Sequence, residues 1–243
     1  MTAEVVEARA LPLARLAALP GVSTASGVAS AAEHARTTGR VLPVSPALSG
    51  LLPAAGLRRG STVSVLGSTS LMLTLLAAAT AGGAWAVAVG LPTLGVVAAA
   101  ELGVEVGRLA LVPRPGAEFP AVTAALLDGF DLVVVGPGFA RPDVARRLSA
   151  RARNRGSVLL SLGSWPGAEV ELSCRRSRWT GLTGDGAGYL RAREVEVRTG
   201  GRGAAARPMS ALLRFPGEGE VRKADFPAPA TVVTAATARW GTA

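Results

Sequence analysis

The stretch whose residue types and spacing come closest to chemistry is Ser61–Thr74, STVSVLGSTSLMLT. A phosphate-binding loop of the form G-x-x-x-x-G-K-[ST] uses glycines so that backbone N–H groups can close on phosphates. Its lysine neutralises them and its final hydroxyl meets magnesium. In that register the chain reads Gly67-Ser-Thr-Ser-Leu-Met72-Leu73-Thr74. Gly67 and Thr74 keep their places, but the second glycine is Met72 and the lysine is Leu73. Lys223 is the only lysine in the chain, so no neighbour can deputise. Backbone N–H groups at the start of the following helix would attract an anion weakly at best. The plainer reading is a strand-to-helix turn, with Ser68 or Thr69 capping the helix.

Other groups that could react are sparse. Cys174 and His34 are each alone, which rules out a disulfide framework, a Cys-based metal site and a histidine cluster within one chain. No metal and no cofactor are expected. Asp128 and Asp131 flank the start of a strand and read as solvated turn residues. Glu101 and Glu105 bracket a helix end and read as exposed. Ser161-Leu162-Gly163-Ser164 is not a G-x-S-x-G nucleophile turn, and Gly184–Gly188 reads as a β-turn. The arginines form two groups. Arg146, Arg147 and Arg151, with Arg153 and Arg155, lie on or just after one helix as a basic face that complements its C-terminus. Arg175, Arg176, Arg178, Arg191 and Arg193 mix with Trp179 and Tyr189. Such a mixture suits nucleic-acid backbone with stacked bases, and equally suits a protein interface; the interface is the favoured reading.

The elements that must position these residues alternate. Ser61–Leu66, Trp85–Val89, Leu109–Val112, Leu132–Val135 and Ser157–Ser161 read as strands. Thr69–Ala81, Gly95–Leu102, Ala117–Asp128 and Pro142–Asn154 read as helices between them. Strand, helix, strand at this spacing predicts βαβ units: an α/β fold, a doubly wound, mainly parallel sheet with helices on both faces. From about residue 166 the pattern changes to alternation in Ala168–Cys174, Tyr189–Thr199 and Met209–Phe215, an antiparallel C-terminal extension. Residues 1–44 read as a helical segment, with helices over 2–19 and 27–37, and a short strand is expected at Val41–Val44. Residues 45–215 read as the core, and 216–243 as a loose tail in which Thr231–Thr237 could order on a partner. The chain has 243 residues, is 49% apolar and carries net charge +9, almost all of it arginine. Arginine in place of lysine fits a GC-rich genome, whereas the excess of positive charge suggests an acidic partner. Residues 61–100 carry no charge, enough for a membrane span by length. Gly67, Gly82, Gly83, Gly90, Pro92 and Gly95 cut the run into strand and short-helix lengths, as in a buried parallel sheet. With no basic, apolar leader at the start, a cytoplasmic protein that makes no membrane contact is expected.

In their order, several phrases resemble the RecA recombinase family. These are Gly56-Leu57-Arg58-Arg59-Gly60 before the loop strand, Ala99–Glu105 followed by Leu109–Val112, and Leu126–Val135. The likeness runs from about Ser45 to Ser161. Arg175–Arg193 (RRSRWTGLTGDGAGYLRAR) narrows it, because Arg-x-Arg-Trp-x-Gly-Leu and Gly-x-Gly-x-Leu-x-x-Arg resemble the ImuA′ branch of actinobacteria.

The resemblance implies a RecA-like core. A RecA-type ATPase would place its phosphate lysine, its glutamate after the second strand and its magnesium-holding aspartate at Leu73, Leu91 and Gly136. All three charges are gone, so no ATP hydrolysis is expected. The implied function is a non-catalytic adaptor in damage-induced mutagenesis. It would bind an ImuB-type, inactive relative of Y-family polymerases, beside an error-prone C-family polymerase, and support translesion DNA synthesis. Alternatives are a module that binds single-stranded DNA or a RecA filament, and a SulA-like inhibitor of cell division. RecA holds DNA with two long loops; the matching places, Gly136–Arg141 and Leu162–Ala168, are short and rich in Pro and Gly.

Overall fold

A computed structural model describes residues 39–139, 141–182, 187–216 and 221–224. The helices expected over 2–19 and 27–37, and the segment Thr231–Thr237, lie outside these residues. The chain opens with β1 (Val41–Leu42), a single-turn helix α1 (Pro46–Ser49) and β2 (Leu57–Arg58). β1 and β2 pair antiparallel as a small separate sheet. The alternating series follows: β3 (Thr62–Leu66), α2 (Thr69–Ala81), β4 (Ala86–Val89), α3 (Val96–Glu101), β5 (Leu109–Val112), α4 (Phe119–Gly129), β6 (Leu132–Val135), α5 (Pro142–Arg155) and β7 (Val158–Leu162). Four long or edge strands close it: β8 (Val170–Leu182), β9 (Gly188–Gly201), β10 (Met209–Pro216) and β11 (Arg222–Ala224).

The main sheet has nine strands among the described residues, in the order β11-β10-β9-β8-β3-β7-β6-β4-β5. Every ladder from β5 to β8 is parallel, and those from β8 to β11 are antiparallel. The fold is therefore α/β around a large mixed, mostly parallel sheet. Two apolar layers flank it. On one face Val63, Val65, Ala86, Ala88, Leu132, Val134, Val158 and Leu160 pack with α2 and the α1 region. On the other, Val87, Val89, Val133, Val135 and Leu159 pack with α4, α5 and Trp165. Burial on both faces explains why these strands read as unbroken apolar runs.

The uncharged stretch resolves into β3, α2, β4 and α3, and among the described residues no helix is long and apolar enough to cross a membrane. Helix α2 is apolar all round because it is covered all round: Leu71, Met72, Leu73, Leu75, Leu76 and Ala79 are each at most 3% exposed. α5 starts with Pro142 in its first turn and ends at Gly156, which is left-handed with φ +73°.

Several elements differ from the sequence expectation. Arg222–Ala224, in the expected loose tail, pairs with β10 as β11, and Val221 before it is buried in the core; α1 and β2 form where no element was expected. The helix expected from Ala117 starts at Phe119, because Gly116–Glu118 form a 3-10 turn and Pro120 suits the first helical turn. The strand expected to end at Cys174 runs on to Leu182, and its partner starts at Gly188. No element was expected in that stretch, and cross-strand pairing with β9 provides the backbone partners that hold it extended.

Candidate functional site

Two regions hold the residues singled out above: the strand-to-helix turn with the neighbouring strand ends, and the β8–β9 hairpin. At the turn, Gly67 adopts φ +82°, a conformation that favours glycine. Ser68 is the cap of α2, and its hydroxyl accepts from the Leu71 N–H at 3.1 Å. Met72 and Leu73 point into the core. Thr74 is buried, and its hydroxyl donates to the Ser70 carbonyl at 2.8 Å, inside its own helix.

Leu91, just after β4, packs against the same core as Leu73. Gly136, just after β6, donates its N–H to the Val89 carbonyl at 2.8 Å. A Cβ at Gly136 would lie 2.2 Å from the Gly90 carbonyl oxygen, so a carboxylate there has no room without backbone movement. Phe139 lies against Gly90 and stacks on Phe119, with ring centroids 4.2 Å apart. The carboxyl ends of β4 and β6 are where ligands of open α/β sheets usually gather. Here two aromatic rings and backbone against backbone crowd the β4 end, while beyond β6 a cavity of about 370 Å³ opens among Gly136, Pro137, Arg141, Ser161 and Ser164, with no carboxylate or lysine in its lining.

Asp128 is exposed in the last turn of α4 and Asp131 is half-buried ahead of β6; beyond the solvated reading, both carboxyls hold arginine partners. Asp128 takes Arg151 at 2.5 and 2.8 Å and Arg155 at 3.0 Å. The hydrogen bond from Arg151 is the main reason its carboxyl lies below the ordinary aspartate range, and the same bond raises the Arg151 pKa. Asp131 accepts from Arg59 at 2.7 Å and from the Trp85 N–H at 2.9 Å. Arg59 also reaches the carbonyls of Gly39 and Gly156, so it ties the start of the core to the ends of β4, β6 and α5. The signal was present in Arg58-Arg59 ahead of the first core strand, but spacing alone does not say which carboxylate an arginine meets.

The arginines of α5 do not share one face. Arg147 pairs with Asp143 at 3.8 Å, and Arg151 with Asp128 on α4. Arg146 lines a different surface, with Ser149, Ala150 and Arg153.

The basic-aromatic group sits on the β8–β9 hairpin, and its residues divide between two faces. A β-bulge at Arg175 shifts the register after Cys174. Beyond it, Arg176 and Arg178 stand opposite Glu196 and Glu194. Arg178 lies 3.5 Å from Glu194, Arg176 4.0 Å from Glu196, Arg198 3.0 Å from Glu196 and Arg214 4.0 Å from Glu194. This face is a ladder of alternating charge. Trp179 and Arg193 pair on the opposite face, with the guanidinium 5.7 Å from the ring centre. Around them a cavity of about 180 Å³ is bounded by Ser70, Ala98, Leu102 and Phe215. Arg193 also donates to the Ser177 hydroxyl at 2.7 Å. Cys174 lies between this face and Gly67. Burial pushes its thiol pKa up, against the opposing pull of the Ser68 hydroxyl and Arg193. Tyr189 is 83% exposed at the far end of the hairpin, and Trp179, Leu182 and Leu190 are about half exposed. Arg175 and Arg191 are exposed beside them. The sequence placed these residues near one another; it did not separate the ladder face from the apolar one.

The model of a family described as MT3502 N-terminal domain matches residues 50–167. The chain is also similar to the uncharacterized protein Rv3395c of Mycobacterium tuberculosis, with 45% identity over 118 residues. That alignment covers 47% of this chain and 58% of the mycobacterial protein, so the chain spans under two thirds of the relative it matches. The matched span runs from the α1 region through β7 to the crossover that follows it, and excludes the hairpin.

Proposed function

We propose that this protein is a non-catalytic adaptor on a RecA-like frame of the ImuA′ kind. In this reading it binds an ImuB-type inactive relative of Y-family polymerases and supports error-prone synthesis across damaged DNA. The observation that carries the non-catalytic part is the uncharged, crowded join of β4 and β6, where the three charged groups of an ATPase are replaced by Leu73, Leu91 and Gly136. Leu73 is in the core, Gly136 lies against Gly90, and Phe139 stacks on Phe119. An ATPase would gather a lysine, a magnesium carboxylate and a water-positioning glutamate there. The hairpin supplies the docking part. Trp179, Leu182, Tyr189 and Leu190 give large apolar area beside arginine, the composition that anchors protein interfaces. The hairpin lies outside residues 50–167, the span that the family model matches, so the ImuA′ assignment rests on its sequence phrase and on this exposed surface.

The test is co-expression with an ImuB-type partner, followed by size-exclusion chromatography. Co-elution is expected, with loss in Trp179→Ala and Tyr189→Ala proteins whose melting curves match wild type. Co-elution that survives both substitutions would remove the hairpin assignment. Truncation after Ala224 leaves every described strand in place, whereas truncation at residue 200 removes β10 and β11 from the sheet. ATP turnover above background that Leu73→Ala abolishes would overturn the non-catalytic reading.

A further inference from the structure

Helix α5 carries arginines on two sides, and the two sides differ in how many carboxylates they meet. Arg147, Arg151 and Arg155 face Asp143 and Asp128. On the other side, Arg146 and Arg153 are two helical turns apart, about 10.5 Å along the axis. With Pro142, Pro166, Gly167 and Arg202 they line a groove of about 510 Å³. The crossover from β7 to β8 forms its second wall. No helix covers the sheet in that crossover, and Trp165 pins it to α5 by donating to the Ser149 hydroxyl at 3.0 Å. Arg202 reaches across to the Gly167 carbonyl and also lines the adjoining cavity, where Arg58 lies.

The charge in this groove is unbalanced. Glu169 is the carboxylate beside it; Arg58 holds it at 2.5 Å and Arg153 stands 3.8 Å away. Arg146 makes no hydrogen bond or ion pair among the described residues. Four arginines therefore meet one carboxylate, and they are exposed.

We infer that the groove between α5 and the β7–β8 crossover binds the phosphodiester backbone of a nucleic acid through Arg146, Arg153 and Arg202, with Arg58 in the adjoining cavity extending the track. Guanidinium forks match phosphate oxygens in pairs. The walls beside Arg146 and Arg153 are Pro142, Ala150, Pro166 and Gly167. They offer no aromatic or large aliphatic anchor of the kind that centres a protein interface. A polyanion needs none, because counterion release drives its binding. With no exposed ring in the groove to stack a base, contact is to the backbone and independent of sequence. This surface is separate from the hairpin, so it stands or falls independently of the adaptor reading.

The test is fluorescence anisotropy of a labelled mixed-sequence oligonucleotide of about 16 nucleotides with the full chain. Salt is varied from about 50 to about 200 mM. Binding is expected to weaken steeply with salt. Combined replacement of Arg146, Arg153 and Arg202 by Gln should weaken it at least about tenfold and flatten the log–log slope by about 2, near 0.7 per lost phosphate contact. Arg146→Gln alone keeps the fold out of question, since its side chain has no described partner; its slope should fall by about 0.7. Arg147→Gln with Arg151→Gln, on the side that meets Asp143 and Asp128, should bind as wild type. Unchanged slope in the groove variants, or equal loss in the opposite-side pair, overturns the proposal. So does displacement of the oligonucleotide by polyglutamate at matched charge, which would make the partner an acidic protein.

Discussion

The two halves of the main sheet are built on opposite rules. From β5 to β3 the strands are parallel and short, and their side chains are almost all apolar; all but the edge strand β5, where Leu111 is exposed, are buried on both faces. From β8 to β11 they are antiparallel, and all but the three-residue edge strand β11 are long. One face continues the core through Leu172, Val195, Val197 and Leu213, while the other carries arginine against glutamate. The parallel half has spent its interior on packing, so it has no place for a charge even where the loop geometry of a nucleotide site persists. The antiparallel half keeps charge and aromatic surface facing outward. The two surfaces proposed for recognition accordingly lie on the second half and on the rim of the first, where the α5 groove lies.

Restoring charge to the parallel half should have the largest effect. Leu73→Lys places an ammonium where the present side chain is 3% exposed. With no carboxylate opposite, this should cost about 3–5 kcal/mol. Gly136→Asp must push its Cβ into the Gly90 carbonyl and should cost at least about 3 kcal/mol. Urea unfolding measures both. A double variant with a wild-type midpoint and new ATP turnover would break the contrast, since it would show the site to be dormant rather than filled.

The next contrast is between leucines. Leu160 in β7 is fully buried, and Leu182 near the hairpin tip is 51% exposed. Leu160→Ala should lower stability by about 3–4 kcal/mol, and Leu182→Ala by no more than about 0.5 kcal/mol. Comparable losses would mean that the hairpin tip belongs to the cooperative core.

How much was legible in the sequence follows the same division. In the parallel half, β4, β5 and β6 and helix α2 fall within a residue of where apolar runs and glycine breaks put them, because burial on both faces leaves a strong local signal. The Ser68 cap was also readable, from residue type and position. In the antiparallel half the core-facing alternation was visible, but Arg175–Leu182 was not readable as strand. Its order depends on partners in β9 that lie six to twenty residues away, and the bulge at Arg175 reverses the alternation that a strand reader would follow. The closure at Gly136 was invisible for another reason. Glycine there is required by the approach of Gly90 from another strand, and a sequence records neither distance nor neighbour. The split of the α5 arginines could have been found by placing residues 146 and 153 on one helical face and 147 and 151 on another. Which face met carboxylates depended on where α4 puts Asp128.

The border between the halves can be probed at Cys174, where β8 leaves the covered core. Its thiol is half-buried, and burial raises its pKa despite Ser68 and Arg193 nearby. Because the thiolate is the nucleophile, alkylation by iodoacetamide at pH 8 should be slower than that of a free cysteine peptide. Trp179→Ala should speed it only if the ring helps to cover this edge. A rate equal to that of the peptide would move the edge of the covered core inward, to Leu172.

The smallest effect is expected in the charge ladder. Glu194 stands between Arg178 and Arg214, and Glu196 between Arg176 and Arg198, each at 3.0–4.0 Å. The arginines are mostly exposed, so each pair contributes at most about 1 kcal/mol and is screened by salt. Glu194→Gln leaves two guanidiniums facing each other across a neutral residue. Its cost should be about 0.5 kcal/mol at low salt and should vanish near 1 M salt. A loss that persists at high salt would mean that the ladder supports the hairpin by packing of the arginine stems over the glutamates. The outer face would then belong, like the inner one, to the cooperative structure rather than to a solvated surface.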